Sequence, residues 1–585
     1  MRRRAYPVRL LALLVLLAIL AACGGQSPAP TQLPAPTEAP AAATEAPIAP
    51  TAAPEPTEAP AEAEPTEAPG PTEAPAAAGE PQQGGTVVVA LNAGWDVLDP
   101  AATAFTFARQ IMQFIYDPIL RQHPTTGEIL PGLAESYDVS EDDTVITLHL
   151  RQDVTFHDGT PFNAEALKFS LDRIQDPELK SPMAATISGP VESIEIQDEY
   201  TLVITLKEPF APFLNSLTQI SLAPVSPTAV EKFGADFGSN PVGTGPFMFE
   251  SETPNEEVVL VRNPDYNWAP DYYDHQGPPY LDKLIIRNVE EDATRMALGE
   301  AGEVDVIYNP VAREVANFES DPGFNVYYAT RPGVPRIVVL NTEKAPFDDP
   351  KVRKAIAYAL DKERVLQDTF EGIGAVTYGI LTPNIFGYWE GVEEAAPKHD
   401  PERAKELLAE AGWTDSNGDG ILDKEGQDFK ITYGSIPGLP FDITDQIWQS
   451  NLKDIGIEMT IEGEEQAAYL QHLREGKWHM AGMLFVATDP DVLYTVAHSS
   501  SIDSAWNTAR YKNPELDSLL AEGRRTTDPA DRAKIYEEAQ KIILEDTPYI
   551  PYYLIKNAYI VNARVQGFKT DIQAFLDFYD AWVTE

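Results

Sequence analysis

The stretch Gly127–Ile174, GEILPGLAESYDVSEDDTVITLHLRQDVTFHDGTPFNAEALKFSLDRI, decides the fold. Within it, Thr144–Leu150 (TVITLHL) alternates with a period of two, which predicts a half-buried strand. Asn163 can accept the free amide hydrogens of a following helix, in which apolar residues recur at helical spacing. Between strand and helix, His157-Asp158-Gly159 is predicted to form a hairpin turn rather than a metal or catalytic site.

Other strands and helices are predicted outside this stretch. Thr86–Leu91 (TVVVAL) and Thr201–Leu206 (TLVITL) are β-branched segments typical of strands. Three further helices are predicted where an aspartate cap precedes a proline in the first turn, at Asp349, Asp400 and Asp528. Strands and helices mix without a regular βαβ repeat, which predicts an α/β or α+β body of several subdomains.

Length and charge restrict the class of protein. The chain has 585 residues and a formal net charge of −48. Residues 84–585 are far longer than a typical compact domain, so at least two domains are expected. An acidic surface argues against nucleic acid, because phosphate binding relies on Lys and Arg. Cys23 is the only cysteine, so the fold has no intramolecular disulfide.

The amino terminus has the pattern of an export signal. Arg2, Arg3, Arg4 and Arg9 precede the apolar run Leu10–Leu20, which small residues and Cys23 follow directly. Leu-Ala-Ala-Cys resembles the lipobox of bacterial lipoproteins, in which the cysteine is acylated and becomes the mature amino terminus. Residues 1–23 are therefore expected to be a signal peptide with a lipobox, and the protein a lipoprotein on the extracytoplasmic face of the cell membrane.

Residues 24–83 are predicted to be a stalk without a fold of its own. This segment repeats Thr-Glu-Ala-Pro five times and contains no Lys or Arg. Proline-rich, charged segments stay extended, rising about 3.1 Å per residue, so the stalk would hold a globular body on the order of 100 Å from the bilayer.

Several blocks, read together, resemble one family. Besides Gly127–Ile174, they are YDPIL (116–120), NPVGTGPFMF (240–249), VLNTEKAPFDDPKVRKAIAYALDKERVL (339–366), DPERAKELLAEAGW (400–413) and TPYIPYY (547–553). This series closely resembles the family 5 extracellular solute-binding proteins, the peptide/nickel class that feeds ABC importers.

The resemblance implies a two-lobed α/β fold of the periplasmic-binding-protein type II, with an extra subdomain in lobe I. Lobe I would comprise residues 84–334 and 557–585, and lobe II residues 335–556. The lobes would close on a peptide or similar solute and deliver it to an ABC permease with its ATPase. A monomer without catalytic activity or an obligatory cofactor is expected.

The ligand pocket departs from that of dipeptide-binding relatives. In those proteins, an aspartate three residues before an Asp-Pro-Asp stretch holds the ligand's amine, and a tryptophan lies slightly earlier. Here Asp489-Pro490-Asp491 is present, but the two positions hold Val486 and Met483. The loop that supplies an arginine for the ligand's carboxylate matches Tyr433–Phe441, which contains no basic residue.

These departures imply a changed ligand. A buried charge without its counter-ion costs several kcal/mol, so a zwitterionic dipeptide is a poor candidate. Met483, Phe485 and Val486, together with Phe441, favour an apolar, aromatic or neutral polar solute. Longer peptides and oligosaccharides remain alternatives, and in another interpretation Val486 is a core residue and Asp489 takes the amine. The remaining ligand-binding candidates are Asp491 and, where relatives edge the cleft, Trp95 and Asp96.

Two loops admit alternative interpretations. Gly243-Thr244-Gly245-Pro246 is interpreted as a tight turn with glycines at positive φ, because it lacks the Gly-Lys-Ser/Thr ending of a phosphate-binding loop. Residues 415–423 (DSNGDGILD) have calcium-loop spacing, which makes Asp415, Asn417, Asp419 and Asp423 candidate ligands of a structural calcium. Position 12 of that loop is Gly426 instead of glutamate, and a polar hairpin loop explains the pattern equally well.

Two other classes of function remain as alternatives. A surface hydrolase with a carboxylate pair is compatible with the composition, but the chain has no Gly-x-Ser-x-Gly, no His-Glu-x-x-His and no usable thiol. A calcium-stabilised adhesive protein depends on the loop at 415–423 alone.

Overall fold

The computed structural model describes residues 79–584, except 104, 125, 177–178, 180, 182–188 and 439–440. The predicted signal peptide, Cys23 and nearly all of the predicted stalk lie outside the described residues. Among the helices of the described part, none is both long enough and apolar enough to cross a bilayer.

The described part contains 25 β-strands. In chain order they are β1 (Thr86–Leu91), β2 (Leu120–Gln122), β3 (Ile129–Pro131), β4 (Ala134–Val139), β5 (Val145–Leu150), β6 (Val191–Asp198), β7 (Thr201–Leu206), β8 (Phe247–Thr253), β9 (Glu257–Arg262), β10 (Lys283–Asn288), β11 (Val306–Tyr308), β12 (Phe324–Thr330), β13 (Gly333–Leu340), β14 (Ala375–Val376), β15 (Asp423–Lys424), β16 (Gln427–Asp428), β17 (Lys430–Ser435), β18 (Glu458–Gly463), β19 (Met480–Val486), β20 (Tyr549–Leu554), β21 (Lys556–Asn562), β22 (Val565–Gln566), β23 (Lys569–Thr570), β24 (Leu576–Asp577) and β25 (Trp582–Val583).

The α-helices are interspersed with these strands. They are α1 (Thr106–Ile115), α2 (Ala164–Ile174), α3 (Phe213–Ser216), α4 (Pro227–Phe233), α5 (Asp292–Glu300), α6 (Ala312–Glu319), α7 (Pro350–Ala359), α8 (Lys362–Phe370), α9 (Val392–Ala395), α10 (Pro401–Glu410), α11 (Phe441–Asp454), α12 (Gln466–Arg474), α13 (Val492–Ala497), α14 (Pro514–Gly523) and α15 (Pro529–Asp546). Short 3₁₀ turns occur at Ile220–Leu222, Gly234–Ser239 and Ser499–Ser501.

Two large sheets organise the described chain. The first has seven strands in the order β12-β21-β11-β1-β10-β9-β8, and a four-stranded sheet, β4-β5-β7-β6, accompanies it in the amino-terminal half. The second large sheet has six strands in the order β14-β20-β13-β19-β17-β18. We use lobe I for the part built on β1–β12 and β21–β25, and lobe II for the part built on β13–β20.

Each lobe has its own apolar interior. In lobe I, the seven-stranded sheet packs on α1 through residues such as Val89 and Ile111, and the four-stranded sheet packs on α2 through Leu148 and Leu167. The second of these cores belongs to the extra subdomain that the family resemblance implies. In lobe II, α7 and α11 cover the sheet, and Trp448 is completely buried.

The chain passes between the large sheets twice. β12 ends at Thr330 and β13 begins at Gly333, and later β20 ends at Leu554 and β21 begins at Lys556. The amide of Arg331 donates to the carbonyl of Ile555 at 3.0 Å, so the two crossing segments lie side by side. The predicted lobe boundaries were residues 335 and 557, close to the positions where β13 and β21 begin.

Local predictions of caps and strands are confirmed. The strand predicted at 86–91 is β1, and the Asn163 side chain accepts the amide of Ala166 at the start of α2. Asp349, Asp400 and Asp528 each cap the helix that begins at the following proline.

The two predicted turns pack against each other. The amide of His157 donates to the carbonyl of Gly243, and a ring nitrogen of His157 lies 2.9 Å from the carbonyl oxygen of Gly245. The prediction of positive φ at these two glycines is wrong, because neither is among the residues with positive φ. Glycine is required here by close packing instead, since a Cβ at Gly243 would lie 2.2 Å from the carbonyl oxygen of Ile115.

Candidate ligand-binding site

A cavity of about 350 Å³ lies at one end of the lobe II sheet. Ser435 at the carboxyl end of β17, Phe485 near the end of β19 and Arg336 near the start of β13 border it, and Phe441 of α11 and Tyr469 of α12 also line it. In open α/β sheets, ligands bind at the carboxyl ends of parallel strands. Since β17 and β19 are parallel, the cavity occupies such a position.

Arg336 enters the cavity from an irregularity in β13. Val334 pairs with Phe485 and Ile337 pairs with Met483, and the register shifts between these two pairs. A β-bulge of this kind redirects a side chain away from the regular alternation of a strand. The guanidinium carbon of Arg336 lies 3.3 Å from the ring centre of Phe441, and its Nε donates to the hydroxyl of Tyr552 at 3.2 Å.

Asp445 lines the same cavity and is 3 % exposed. Its carboxylate accepts a hydrogen bond of 2.5 Å from the Ser435 hydroxyl. Burial raises the pKa of Asp445 to about 6, while hydrogen bonds from Ser435 and Tyr433 and the positive charge of Arg336 act in the opposite direction. The cavity lining therefore contains ionisable groups, although the predicted loop at 433–441 has no basic residue and Val486 stands where relatives have an aspartate.

Aromatic side chains form much of the remaining wall. Phe485 and Trp506 meet edge to face, with ring centres 6.1 Å apart. The Tyr469 hydroxyl donates to the carbonyl of Gly482 at 2.6 Å and accepts its amide at 3.1 Å, which fixes α12 against β19. These rings give the cavity a rigid apolar surface.

Three of the predicted ligand-binding residues, Phe441, Met483 and Phe485, line this cavity together. Val486 follows directly on the chain but lies outside the lining, where it pairs with Gly333 across β13 and β19. The position of Met483 is fixed in part by the Thr508 hydroxyl, 3.5 Å from its sulfur.

Asp489 and Asp491 are engaged in ion pairs inside lobe II. The two carboxylate oxygens of Asp489 accept hydrogen bonds of 2.6 and 2.8 Å from Arg532. Those of Asp491 accept 2.8 and 3.0 Å bonds from Arg524. Both carboxylates thus have a guanidinium partner without any ligand.

Trp95 and Asp96 belong to lobe I and do not join the lining of the lobe II cavity. The indole N–H of Trp95 donates to Glu252 at 2.6 Å, and Trp95 is 5 % exposed. Asp96 accepts a 2.6 Å bond from the Thr103 hydroxyl.

The loop at 415–423 folds around its own polar side chains. The Asp415 carboxylate accepts the amides of Gly418 and Gly420, and the Asp423 carboxylate accepts both the amide and the hydroxyl of Ser416. Asn417 and Asp419 bond to each other. Among the described residues, no three or more His, Cys, Asp and Glu side chains are placed to hold a metal ion, and the structural calcium stays a prediction.

Lobe I contacts lobe II just beyond β19. The Thr488 hydroxyl accepts a 3.2 Å hydrogen bond from the Gln219 amide and donates to the Asn215 side chain at 3.0 Å. At the outer edge of the interface, Thr527 donates to Asp143 and Arg525 pairs with Glu208. Thr488 follows the cavity residue Phe485 by three positions, so the cavity and this contact between the lobes are close along the chain.

Sequence reasoning missed Arg336 and Asp445 as members of the site. Arg336 was detectable as the one charged residue in the otherwise apolar strand GVPRIVVL, 333–340. For Asp445 the signal was weaker, because an acidic residue in a helix is usually solvated.

The chain is similar to one family of known proteins. Residues 128–504 match the family model of bacterial extracellular solute-binding proteins, family 5. The glutathione-binding protein GsiB of Salmonella typhi is 30 % identical over 500 residues, which cover 82 % of this chain and 91 % of that protein.

Two solved structures share both fold and sequence. The periplasmic binding protein DppA from Helicobacter pylori, in complex with the peptide STSA, is 30 % identical, with a TM-score of 0.71 over 86 % of this chain and 99 % of that chain. The oligopeptide-binding protein AppA from Bacillus subtilis, in complex with a nonapeptide, is 25 % identical, with a TM-score of 0.71 over 86 % and 100 %.

Proposed function

Because the chain belongs to the family 5 bacterial extracellular solute-binding proteins, we propose that it captures a peptide or similar solute between its lobes and delivers it to an ABC permease and ATPase. The observation that carries this proposal is the cavity at the carboxyl ends of β17 and β19, close along the chain to the contact of Thr488 with lobe I. Family and relatives are binding proteins, and we propose no catalytic step.

Lobe closure is the mechanism that the connections support. Only two segments, at 331–332 and 555, link the large sheets, and they lie side by side. A rotation about two adjacent segments changes the distance between the lobes while leaving each core intact. A solute that contacts both lobes only in the closed state shifts the population toward that state.

We further propose that acylated Cys23 tethers the receptor to the extracytoplasmic face of the membrane. The support is the basic and apolar pattern of residues 1–23 and the position of the one cysteine. Cys23→Ser should move the protein from the membrane fraction to the soluble fraction after export. Retention of the variant in the membrane fraction would count against the lipid tether.

The receptor function is tested on the full-length protein in detergent. Molecules released on unfolding are identified by mass spectrometry, and the refolded protein is mixed with each of them while small-angle X-ray scattering is recorded. We expect a released solute to reduce the radius of gyration and to be recovered chemically unchanged. Chemical conversion of the solute, or no change in scattering with any released molecule, would overturn the proposal.

A further inference from the structure

Arg336 is a cation without an ion-pair partner in the described part of the chain. No carboxylate of that part lies within 4.0 Å of its guanidinium, although Asp445 lines the same cavity. The one hydrogen bond of the guanidinium goes from Nε to Tyr552, so its two terminal nitrogens have no acceptor there. Arg336 is half-buried and lines the cavity, so a ligand in the cavity can reach these two nitrogens.

Neighbouring arginines show the contrast. Arg524 and Arg532 each donate two hydrogen bonds to one carboxylate, of Asp491 and Asp489 respectively. Both therefore have their charge neutralised within lobe II. Arg336 has an aromatic ring in place of a carboxylate, since Phe441 lies against its guanidinium.

The stacked arrangement leaves the guanidinium ready for a planar anion. A ring against the guanidinium face stabilises the cation and holds its plane, but does not use its edge hydrogens. The edge of an arginine fork matches the two oxygens of a carboxylate. The bulge at Pro335–Arg336 and the bond to Tyr552 fix the side chain before any ligand binds.

Asp445 does not compete for this role. Its carboxylate is held by the Ser435 hydroxyl and is nearly inaccessible. The positive charge of Arg336 lowers the pKa of Asp445, so the two charges attract each other, but Asp445 forms no direct ion pair with Arg336 and leaves its terminal nitrogens open to a ligand.

The rest of the cavity suits an apolar group. Met483, Phe485 and Trp506 line it, and its volume of about 350 Å³ is that of a site for a small organic molecule. One cavity thus offers both the guanidinium of Arg336 and an apolar wall.

We infer that Arg336 is the anchor for a carboxylate of the solute, and that the ligand class is an organic acid or peptide terminus carrying an apolar or aromatic group. This inference rests on the proposed receptor function and specifies its substrate. The anchor would thus lie on β13 rather than in the loop Tyr433–Phe441, which matches the arginine-bearing loop of dipeptide-binding relatives and contains no basic residue.

N-acetyl-L-phenylalanine and its amide test the inference. Both carry one aromatic ring and no free amine, and they differ only in the carboxylate. Ligand-observed saturation-transfer NMR on the full-length protein should show that the acid binds about 10-fold more tightly than the amide. In Arg336→Met the preference should fall to about 1, and Arg336→Lys, which keeps the charge without the fork, should retain an intermediate preference.

Arg474→Met is the matched control. Arg474 lies 5.4 Å from the ring centre of Trp506 but outside the cavity lining. Arg474→Met removes one positive charge, as Arg336→Met does, but should leave the preference for the acid over the amide unchanged. A purely structural Arg336 would lower the melting temperature without changing the ratio of acid to amide affinity. Equal binding of acid and amide to the unaltered protein, or binding of neither, would overturn the inference. Solute-driven closure that persists in Arg336→Met would overturn it too, while leaving the receptor function standing.

Discussion

The hydroxyl of Thr488 in lobe II bonds at the same time to Gln219 and Asn215 of lobe I. It accepts from one amide and donates to the other side chain, so both of its polar capacities are used across the interface. Thr488 is 8 % exposed, and water therefore replaces these bonds poorly. This contact lies two residues beyond β19, a strand whose residues line the cavity.

Thr488→Val should weaken the closed state. Valine keeps the shape of threonine but leaves Gln219 and Asn215 without their shared partner, which costs about 1–2 kcal/mol. Ligand affinity should fall about 5- to 30-fold, and the radius of gyration in the presence of solute should increase. Thr527→Val is the control, because Thr527 also crosses the interface, to Asp143, but is exposed. An equal effect of both variants would contradict a special role for Thr488.

Asp489→Asn should destabilise lobe II rather than abolish binding. Arg532 is 7 % exposed as a side chain, and without the carboxylate its charge is left unneutralised in the interior. The free energy of unfolding should fall by about 3 kcal/mol, measured by urea denaturation. The pair Arg313–Glu314 provides the control, since both side chains are exposed and Glu314→Gln should change stability by less than about 0.5 kcal/mol.

The same variant decides between two interpretations of Asp489. If Asp489 held the amine of the solute, its replacement would reduce affinity at unchanged stability. Because Arg532 donates two hydrogen bonds to Asp489, we expect the opposite result, which is reduced stability at unchanged affinity.

Gly333→Ala should be strongly destabilising. Gly333 has a φ of +129°, and a Cβ there would lie 1.9 Å from the carbonyl oxygen of Phe485. The strands β13 and β19 would have to separate at the edge of the cavity, so we expect a loss of more than about 3 kcal/mol in the urea unfolding assay. Gly277→Ala separates the cost of the positive φ from the cost of the steric clash. Gly277 also has a positive φ, +100°, but there is open space at its Cβ position. Gly277→Ala should lower the free energy of unfolding by about 1 kcal/mol. An equally small loss for Gly333→Ala would contradict the steric argument.

The features that sequence predicted are those whose causes are local. The cap at Asn163 acts on an amide three residues later, and the strand β1 follows from four β-branched residues in a row, Thr86–Val89. The family blocks likewise identified the two-lobed fold. Arg336 joins Phe441 only because β13 pairs with β19 and carries a bulge, which no local pattern specifies. The partner of Asp489 could not be predicted either, since Arg532 lies on α15, 43 residues further along the chain.

Asp445 should make the stability of the protein depend on pH. Its pKa is about 6 in the folded protein against 3.8 for an ordinary aspartate, with burial as the largest cause. The folded state thus binds the proton more tightly than the unfolded state. The stability that this gives is fully present below pH 4 and is lost as the pH rises through 6. The difference is worth at most about 3 kcal/mol, from roughly 1.4 kcal/mol per pH unit.

Comparison of the wild type with Asp445→Asn isolates this contribution. Asp491 and Asp571 also have raised pKa values, but they are present in both proteins and cancel in the difference. The stability advantage of the wild type over the variant should be greatest at pH 4 and should decrease toward pH 8. Asp153→Asn provides a control of opposite sign, because the hydrogen bond from Arg151 lowers the pKa of Asp153. A difference between the wild type and Asp445→Asn that does not change from pH 4 to pH 8 would show that the Asp445 carboxylate is better solvated than its burial indicates.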